Sequence, residues 1–338
     1  MRQGDLRIVA PVSSVDEVLP LLAAGADELY CGAMFDEWVG VFGEADLISR
    51  RQGRLSHITS PKELTRIARL ASDQQCKISL TLNSRYTGSQ MQQVFDLIRL
   101  WEDAGGSHVL LSDPALLFAL RDRGSALKRH LSIMAGTFNG AAVQFFKEMG
   151  VSRIVLPREL CLEEVGALIG EADGMEFEML AMLQKCRFID GFCGFYHGIR
   201  LPSDQPSHFR YTSASTALQE VATAIDPDYE GHGCQLDYRT ANGGRVRHLA
   251  ISDEHHPPCA ACMLPELYAA GIRFLKIAGR GYPLDQLVQA VRFVSESLEI
   301  FHENDAPEDC RQAVRELYRR SFGTACRKSD CYYFRIGK

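Results

Sequence analysis

The sequence contains no uninterrupted apolar stretch of the roughly 18 residues that a membrane-crossing helix requires, so no membrane span is expected. It has no excess of positive charge. Thirty-seven Lys and Arg stand against 43 Asp and Glu, a formal net charge of −6, which excludes a globally basic nucleic-acid footprint but leaves room for a local basic groove. There is no internal repeat and no low-complexity tract. Met1-Arg2-Gln3-Gly4-Asp5 leads into a strand-like run without the apolar core of a signal peptide, which gives the expectation of a cytoplasmic protein. No Gly-rich dinucleotide fingerprint follows the first strand, where Ala10-Pro11-Val12-Ser13 stands instead. Neither a Gly-x-Ser-x-Gly elbow nor a His-Glu-x-x-His zinc helix occurs, so the two commonest signatures of hydrolytic chemistry are missing.

What is present is an ordinary globular composition, 46% hydrophobic and 24% charged over 338 residues. Short apolar runs alternate with longer amphipathic stretches. Strands are expected at 6–10, 28–32, 77–82, 108–112, 131–135, 153–157, 176–181 and 274–278, rich in Ile, Val and Leu as strands covered on both faces are. Helices are expected at 15–23, 61–74, 91–104, 114–123, 140–148 and 162–171, with Ser13 and Ser60 as N-caps and Pro61 at a first helical position. Eight strand–helix alternations point to an α/β fold, a closed (β/α)8 barrel spanning 1–305. The alternation fails over 186–263, between strands seven and eight, and an irregular excursion of that size inside a compact domain is usually functional. Residues 306–338 read as a charged amphipathic helix followed by a cysteine-bearing, aromatic tail.

Eleven cysteines are unusual for such a chain, and their odd number leaves at least one outside any set of disulfides. Five of them, Cys186, Cys193, Cys234, Cys259 and Cys262, fall in the excursion, most beside glycine or proline turns. Thiolates that converge from flexible turns bind iron or zinc. With only one Cys-x-x-Cys pair, Cys259 and Cys262, the spacing suits a cluster enclosed by the fold better than a zinc ribbon, and buried free thiols remain the alternative. Cys31, Cys76 and Cys161 read as small core residues. Cys310, Cys326 and Cys331 are grouped near the end and could join Cys262 in a second metal site.

Several segments resemble the collagenase-like peptidase family U32. They are Gly25-Ala26-Asp27-Glu28-Leu29-Tyr30-Cys31-Gly32, Leu111-Ser112-Asp113-Pro114-Ala115, Arg153-Ile154-Val155-Leu156-Pro157-Arg158-Glu159-Leu160 and Ala270-Gly271-Ile272-Arg273-Phe274-Leu275-Lys276-Ile277-Ala278-Gly279-Arg280. The third is the most specific match, and the resemblance runs from Val9 to about Gly281. It implies a 4Fe–4S cluster on Cys186, Cys193, Cys234 and Cys259, with Cys262 as a possible substitute for Cys259. Two departures stand out. Ala278 occupies the place of a family glutamate, and Leu183-Gln184-Lys185 replaces a His-Gly-Ala segment before the first cysteine.

The chain is similar in size to short family members that act in pairs in oxygen-independent ubiquinone hydroxylation. The resemblance therefore implies hydroxylation of a small aromatic or quinone-type substrate, with prephenate as oxygen donor and a paralogous U32 chain as partner. RNA-base hydroxylation, a U32-type peptidase and a non-catalytic cluster-bearing subunit are the alternatives. A barrel would put Arg158 and Glu159 at the end of strand six, Lys276 and Arg280 around strand eight, and Asn83 at the end of strand three. These five are the expected catalytic residues, because active sites form at that end of such barrels and fixed cations there suit carboxylates.

Overall fold

The computed structural model describes residues 6–43, 46–51, 54–186, 189–192, 256–327 and 330–333, together with the backbone of six short strands between 197 and 246. The barrel strands are β1 (Arg7–Pro11), β2 (Glu28–Cys31), β3 (Lys77–Leu82), β4 (His108–Leu111), β5 (Lys128–Leu131), β6 (Val151–Val155) and β7 (Glu176–Met182). The short strands are β8 (His197–Ile199), β9 (His208–Tyr211), β10 (Val221–Ala224), β11 (Gly231–His232), β12 (Tyr238–Arg239) and β13 (Arg245–Val246), and β14 (Phe274–Ile277) completes the barrel. All eight barrel strands are parallel, and β1 closes the ring by pairing with both β2 and β14. The (β/α)8 expectation holds, with the excursion inserted between β7 and β14. That excursion is not wholly irregular: its short strands form three antiparallel pairs, β8 with β11, β9 with β10 and β12 with β13.

The surrounding helices are α1 (Val18–Ala23), α2 (Asp36–Phe42), α3 (Pro61–Asp73), α4 (Gly88–Asp103), α5 (Pro114–Asp122), α6 (Gly140–Glu148), α7 (Leu162–Gly170), α8 (Leu264–Ala269), α9 (Leu284–Glu303) and α10 (Pro307–Phe322). Their boundaries follow local chemistry. Pro61 begins α3 after an extended Ser60, and Leu64, Ile67, Ala68 and Ala71 form its buried stripe at helical spacing. The Asp113 and Asn139 carboxyl and amide oxygens accept from Ala115 N–H and Ala142 N–H and so start α5 and α6. Ser13 is not a cap: Ser14 precedes the first helical turn, and Ser13 N–H donates to the Glu17 carboxylate. Among the described residues no helix is long and apolar enough to cross a membrane.

The main apolar core lies between the strands and the helices, whereas the barrel interior is polar. Arg153, fully buried, donates to Glu28 at 2.7 Å and lies 3.3 Å from Glu178, and Lys276 Nζ donates to Glu178 at 2.8 Å. Both cations also lie over aromatic rings, Arg153 over Phe274 and Lys276 over Tyr30. This explains the largest boundary error. Strand five lies at Lys128–Leu131, and the apolar run expected to form it, 131–135, instead ends in a short 3-10 turn over Ile133–Ala135. A strand whose inward residue is His130 does not read as apolar. Residues 307–322 are helical as expected. The chain then returns to the barrel, where Tyr333 Oη donates to Leu180 O and Tyr332 N–H to Cys259 O.

Candidate active site at the carboxyl end of the barrel

Strand β7 organises this end. Beyond Met182, Leu183 turns with a positive φ of 78° while its N–H donates to Pro258 O, and Met182 and Cys259 form an antiparallel bridge. Cys259 is thereby held against the end of β7, four residues before Cys186 in the same strand's outgoing loop. On its other side Cys259 pairs with Cys331 of the tail, since Cys259 N–H donates to Asp330 O and Tyr332 N–H donates to Cys259 O. Cys193 and Cys234 lie outside the described residues.

Arg158 and Glu159, just past β6, grip the Cys186 loop. Arg158 Nε and its backbone N–H both donate to Asp190 Oδ2, at 2.9 and 3.0 Å, Nη2 pairs with Asp190 Oδ1, and Nη1 donates to Gln184 O. Asp190 N–H in turn donates to a Glu159 carboxylate oxygen at 3.3 Å. Burial and the neighbouring Asp190 push the Glu159 carboxyl above its ordinary range. A cavity of about 230 Å³ opens here, lined by Arg158, Glu159, Lys185, Cys186, Cys331 and Tyr332 among others.

A second cationic group lies around β14. Arg280 is 5% exposed, and its Nη2 donates to Ser49 Oγ at 3.0 Å, which shares a further hydrogen bond with His57. Arg51 Nε donates to Arg280 O at 3.2 Å, and its Nη1 donates to the Gln184 side chain. Burial lowers the Arg280 guanidinium to about 10, an order-of-magnitude cost of roughly 3 kcal/mol for keeping it charged. The same cause lowers Arg51. Asn83 positions this loop: its Oδ1 accepts from Arg50 N–H at 2.9 Å, and its Nδ2 donates to Ser132 Oγ at 3.0 Å.

The structure therefore sorts the expected residues. Arg158, Glu159 and Cys186 come together at one cavity, and Arg280 and Asn83 meet through the 48–51 loop. Lys276 does not reach the rim. It lies within β14, buried in the barrel and paired with Glu178, and burial lowers its amine. The residues that sequence reasoning missed are Arg51, Ser49, Gln184 and Asp190. Only the polar run Ser49-Arg50-Arg51 after the second strand carried a readable signal. The substituted Gln184 bridges the two groups: its side chain meets Arg51 and its carbonyl accepts from Arg158 and Tyr332 Oη.

Cys262 shares a hydrogen bond with Cys331, which, with Arg315 and Arg311, brings its thiol down to about 6 despite burial, while the Cys331 thiol is pushed up. Thiols are the right donors for iron, and Cys186 and Cys259 lie at the same end of β7. Among the described residues, however, no group of three or more His, Cys, Asp or Glu side chains is arranged to hold a metal ion, neither the Cys262 group nor any other.

The family model for peptidase family U32 matches residues 13–335 of this chain. A tRNA hydroxylation protein P of Escherichia coli (strain K12) is 33% identical over 91 residues, 27% of this chain and 20% of that protein. Two Bacillus subtilis (strain 168) proteins match over greater lengths. tRNA hydroxylation protein P1 is 23% identical over 283 residues, 81% of this chain and 58% of that protein. Protein P2 is 22% identical over 325 residues, 90% of this chain and 88% of that protein.

Proposed function

The chain belongs to peptidase family U32, and on that premise we propose that it is an iron–sulfur hydroxylase that works without dioxygen. The observation that carries this reading is the placing of Cys186 and Cys259 at the carboxyl end of β7, beside buried cations and a cavity. The relatives named tRNA hydroxylation proteins support the hydroxylase class, while a relative named Collagenase, of Porphyromonas gingivalis and 27% identical over 311 residues, supports hydrolysis as the second reading. Cys186, Cys193, Cys234 and Cys259 would hold a 4Fe–4S cluster, which would supply one-electron chemistry that side chains lack.

The chain's own residues have three tasks in this reading. Arg158 is a positioning residue: through Asp190 and the Gln184 carbonyl it fixes the loop that carries Cys186. Glu159, its carboxyl pushed up by burial, lines the same cavity and can hold a proton there. Arg280 and Arg51 supply positive charge for a carboxylate-bearing oxygen donor such as prephenate. Lys276 and Glu178 support the barrel from within.

The acceptor separates two readings. A net charge of −6 supports a small aromatic or quinone-type ring. The relatives' names support a tRNA base. Two similar proteins, P1 and P2, in one Bacillus strain also support a paralogous U32 chain as partner. The test is anaerobic incubation with prephenate and either unmodified tRNA or quinone precursors, alone and with a co-expressed paralogue. A product heavier by one oxygen atom is expected in one arm. No product in any arm, with peptide hydrolysis present, would overturn the hydroxylase reading.

A further inference from the structure

Cys331 stands in the tail segment that returns to the barrel, and hydrogen bonds fasten that segment in place. Lys185 Nζ donates to Cys331 O at 2.7 Å, Tyr332 Oη to Gln184 O, and Tyr333 Oη to Leu180 O at 2.8 Å. Cys259 N–H donates to Asp330 O and Tyr332 N–H to Cys259 O, each at 3.2 Å. Cys331, Tyr332 and Tyr333 thereby line the same cavity as Lys185 and Cys186. A short segment near a chain end, tied by hydrogen bonds, belongs to the part of a fold that opens most readily. The Cys331 thiol also meets a second thiol. It shares a hydrogen bond with Cys262, which lies in the short turn Ala261–Met263 before α8. Two further thiols lie near Cys262, the wholly buried Cys310 of α10 and the half-buried Cys326. Among the described residues this group is not arranged to hold a metal ion.

We infer that Cys262 and Cys331 form a redox-active dithiol, a modification site whose oxidation fastens the tail covalently to the barrel. The two thiols already share a hydrogen bond, so a disulfide bond of about 2 Å needs only a small approach. The backbone bridge between Cys259 and Cys331 fixes the tail's register against the segment that carries Cys262. Cys331 lines a cavity of about 230 Å³, which gives a small reagent access to the pair. The oxidant is a low-molecular-weight disulfide such as glutathione disulfide. The thiolate of one cysteine attacks it, forming a mixed disulfide and releasing one glutathione. The other cysteine then attacks the protein-bound sulfur, closing the Cys262–Cys331 bond and releasing the second glutathione. The two thiol protons end on the two glutathiones, so the protein loses two electrons and the small disulfide gains them. The bond closes the long 262–331 loop, where a cross-link restrains the unfolded chain strongly. It also holds Tyr332 and Tyr333 against the cavity. Neither thiol is among the four proposed for the cluster, so the dithiol stands apart from the hydroxylase reading.

The full chain, purified anaerobically, is incubated with glutathione disulfide, and the thiols left over are blocked with N-ethylmaleimide. Mass spectrometry of the digest is expected to show one peptide pair joined through Cys262 and Cys331, which dithiothreitol separates. Hydrogen exchange reads the consequence. Exchange at the Tyr332 amide, which donates to Cys259 O, is expected to slow by roughly tenfold or more on oxidation. Cys262→Ser and Cys331→Ser are expected to exchange at the rate of the reduced protein with or without oxidant. Cys326→Ser is expected to keep both the link and the slowing. The deciding comparison is oxidised against reduced wild type, so a folding defect in a serine variant does not blunt the test. Maleimide on both thiols after the oxidant, or a glutathione adduct that goes no further, would overturn the dithiol. So would Cys331 joined to Cys326 instead, or a Cys262–Cys331 link that leaves exchange at Tyr332 unchanged.

Discussion

At the scale of single residues, the partners of each buried charge decide what its substitution does. Asp190 is buried beneath Arg158, so Asp190→Asn leaves a buried guanidinium without its counter-charge. A loss of about 3–5 kcal/mol in chemical denaturation is expected. Because that pair fixes the loop of Cys186, the iron content of anaerobically purified protein should fall with it. Unchanged stability would mean that the pair does not hold the loop. Arg158 was readable from the sequence as a polar residue ending a strand, and its partner was not. Asp190 lies 32 positions further on, in a segment whose pattern announces no element. Arg51 stood in a readable polar run, but its partners, the Gln184 side chain and the Arg280 carbonyl, lie 133 and 229 positions further on. Lys276 was expected around strand eight, where it does lie, and its place within β14 directs it into the barrel, onto Glu178.

At the scale of elements, the barrel strands carry their unusual chemistry inward. His130 on β5 is buried, and burial first, then Arg153, His108, Lys276 and Lys77, hold its imidazole well below 6.5. A base whose folded value is depressed is neutral in the fold and takes up a proton on unfolding. The stability it contributes is present above 6.5 and is lost as pH falls below that, toward the folded value. His108 is shifted in the same direction by the same leading cause. Thermal stability should therefore decline from pH 6.5 downward, with a slope approaching about 1.4 kcal/mol per pH unit for each such group. His130→Gln should flatten that decline. Glu178, held below its ordinary value of 4.5 by Lys276 and Arg153 against burial, adds its own loss only at lower pH. An unchanged profile in His130→Gln would contradict a neutral buried imidazole. The same polarity explains why β5 was misplaced by the hydrophobic pattern, whereas β1, β2 and β3, with Ile and Leu on their helix-facing sides, were legible.

At the scale of the whole molecule, β7 joins the cysteines, the excursion and the tail. Its end receives Cys259, its outgoing loop carries Cys186, and the tail packs back on it through Tyr332 and Tyr333. Eight regularly spaced apolar runs made the barrel readable, and the failure of that spacing marked the excursion. The docking of the tail was not readable, because Tyr333 meets Leu180 across 153 positions and neither residue signals the other. The 4Fe–4S cluster proposed for the thiols at this end is tested by metal analysis. Anaerobically purified protein is assayed for iron and sulfide and its optical spectrum recorded, beside Cys186→Ala, Cys259→Ala and Cys262→Ala. About four irons per chain are expected, lost in the first two variants and retained in the third. Bound zinc, or a metal-free chain identical in all four proteins, would contradict an iron–sulfur cluster at this end.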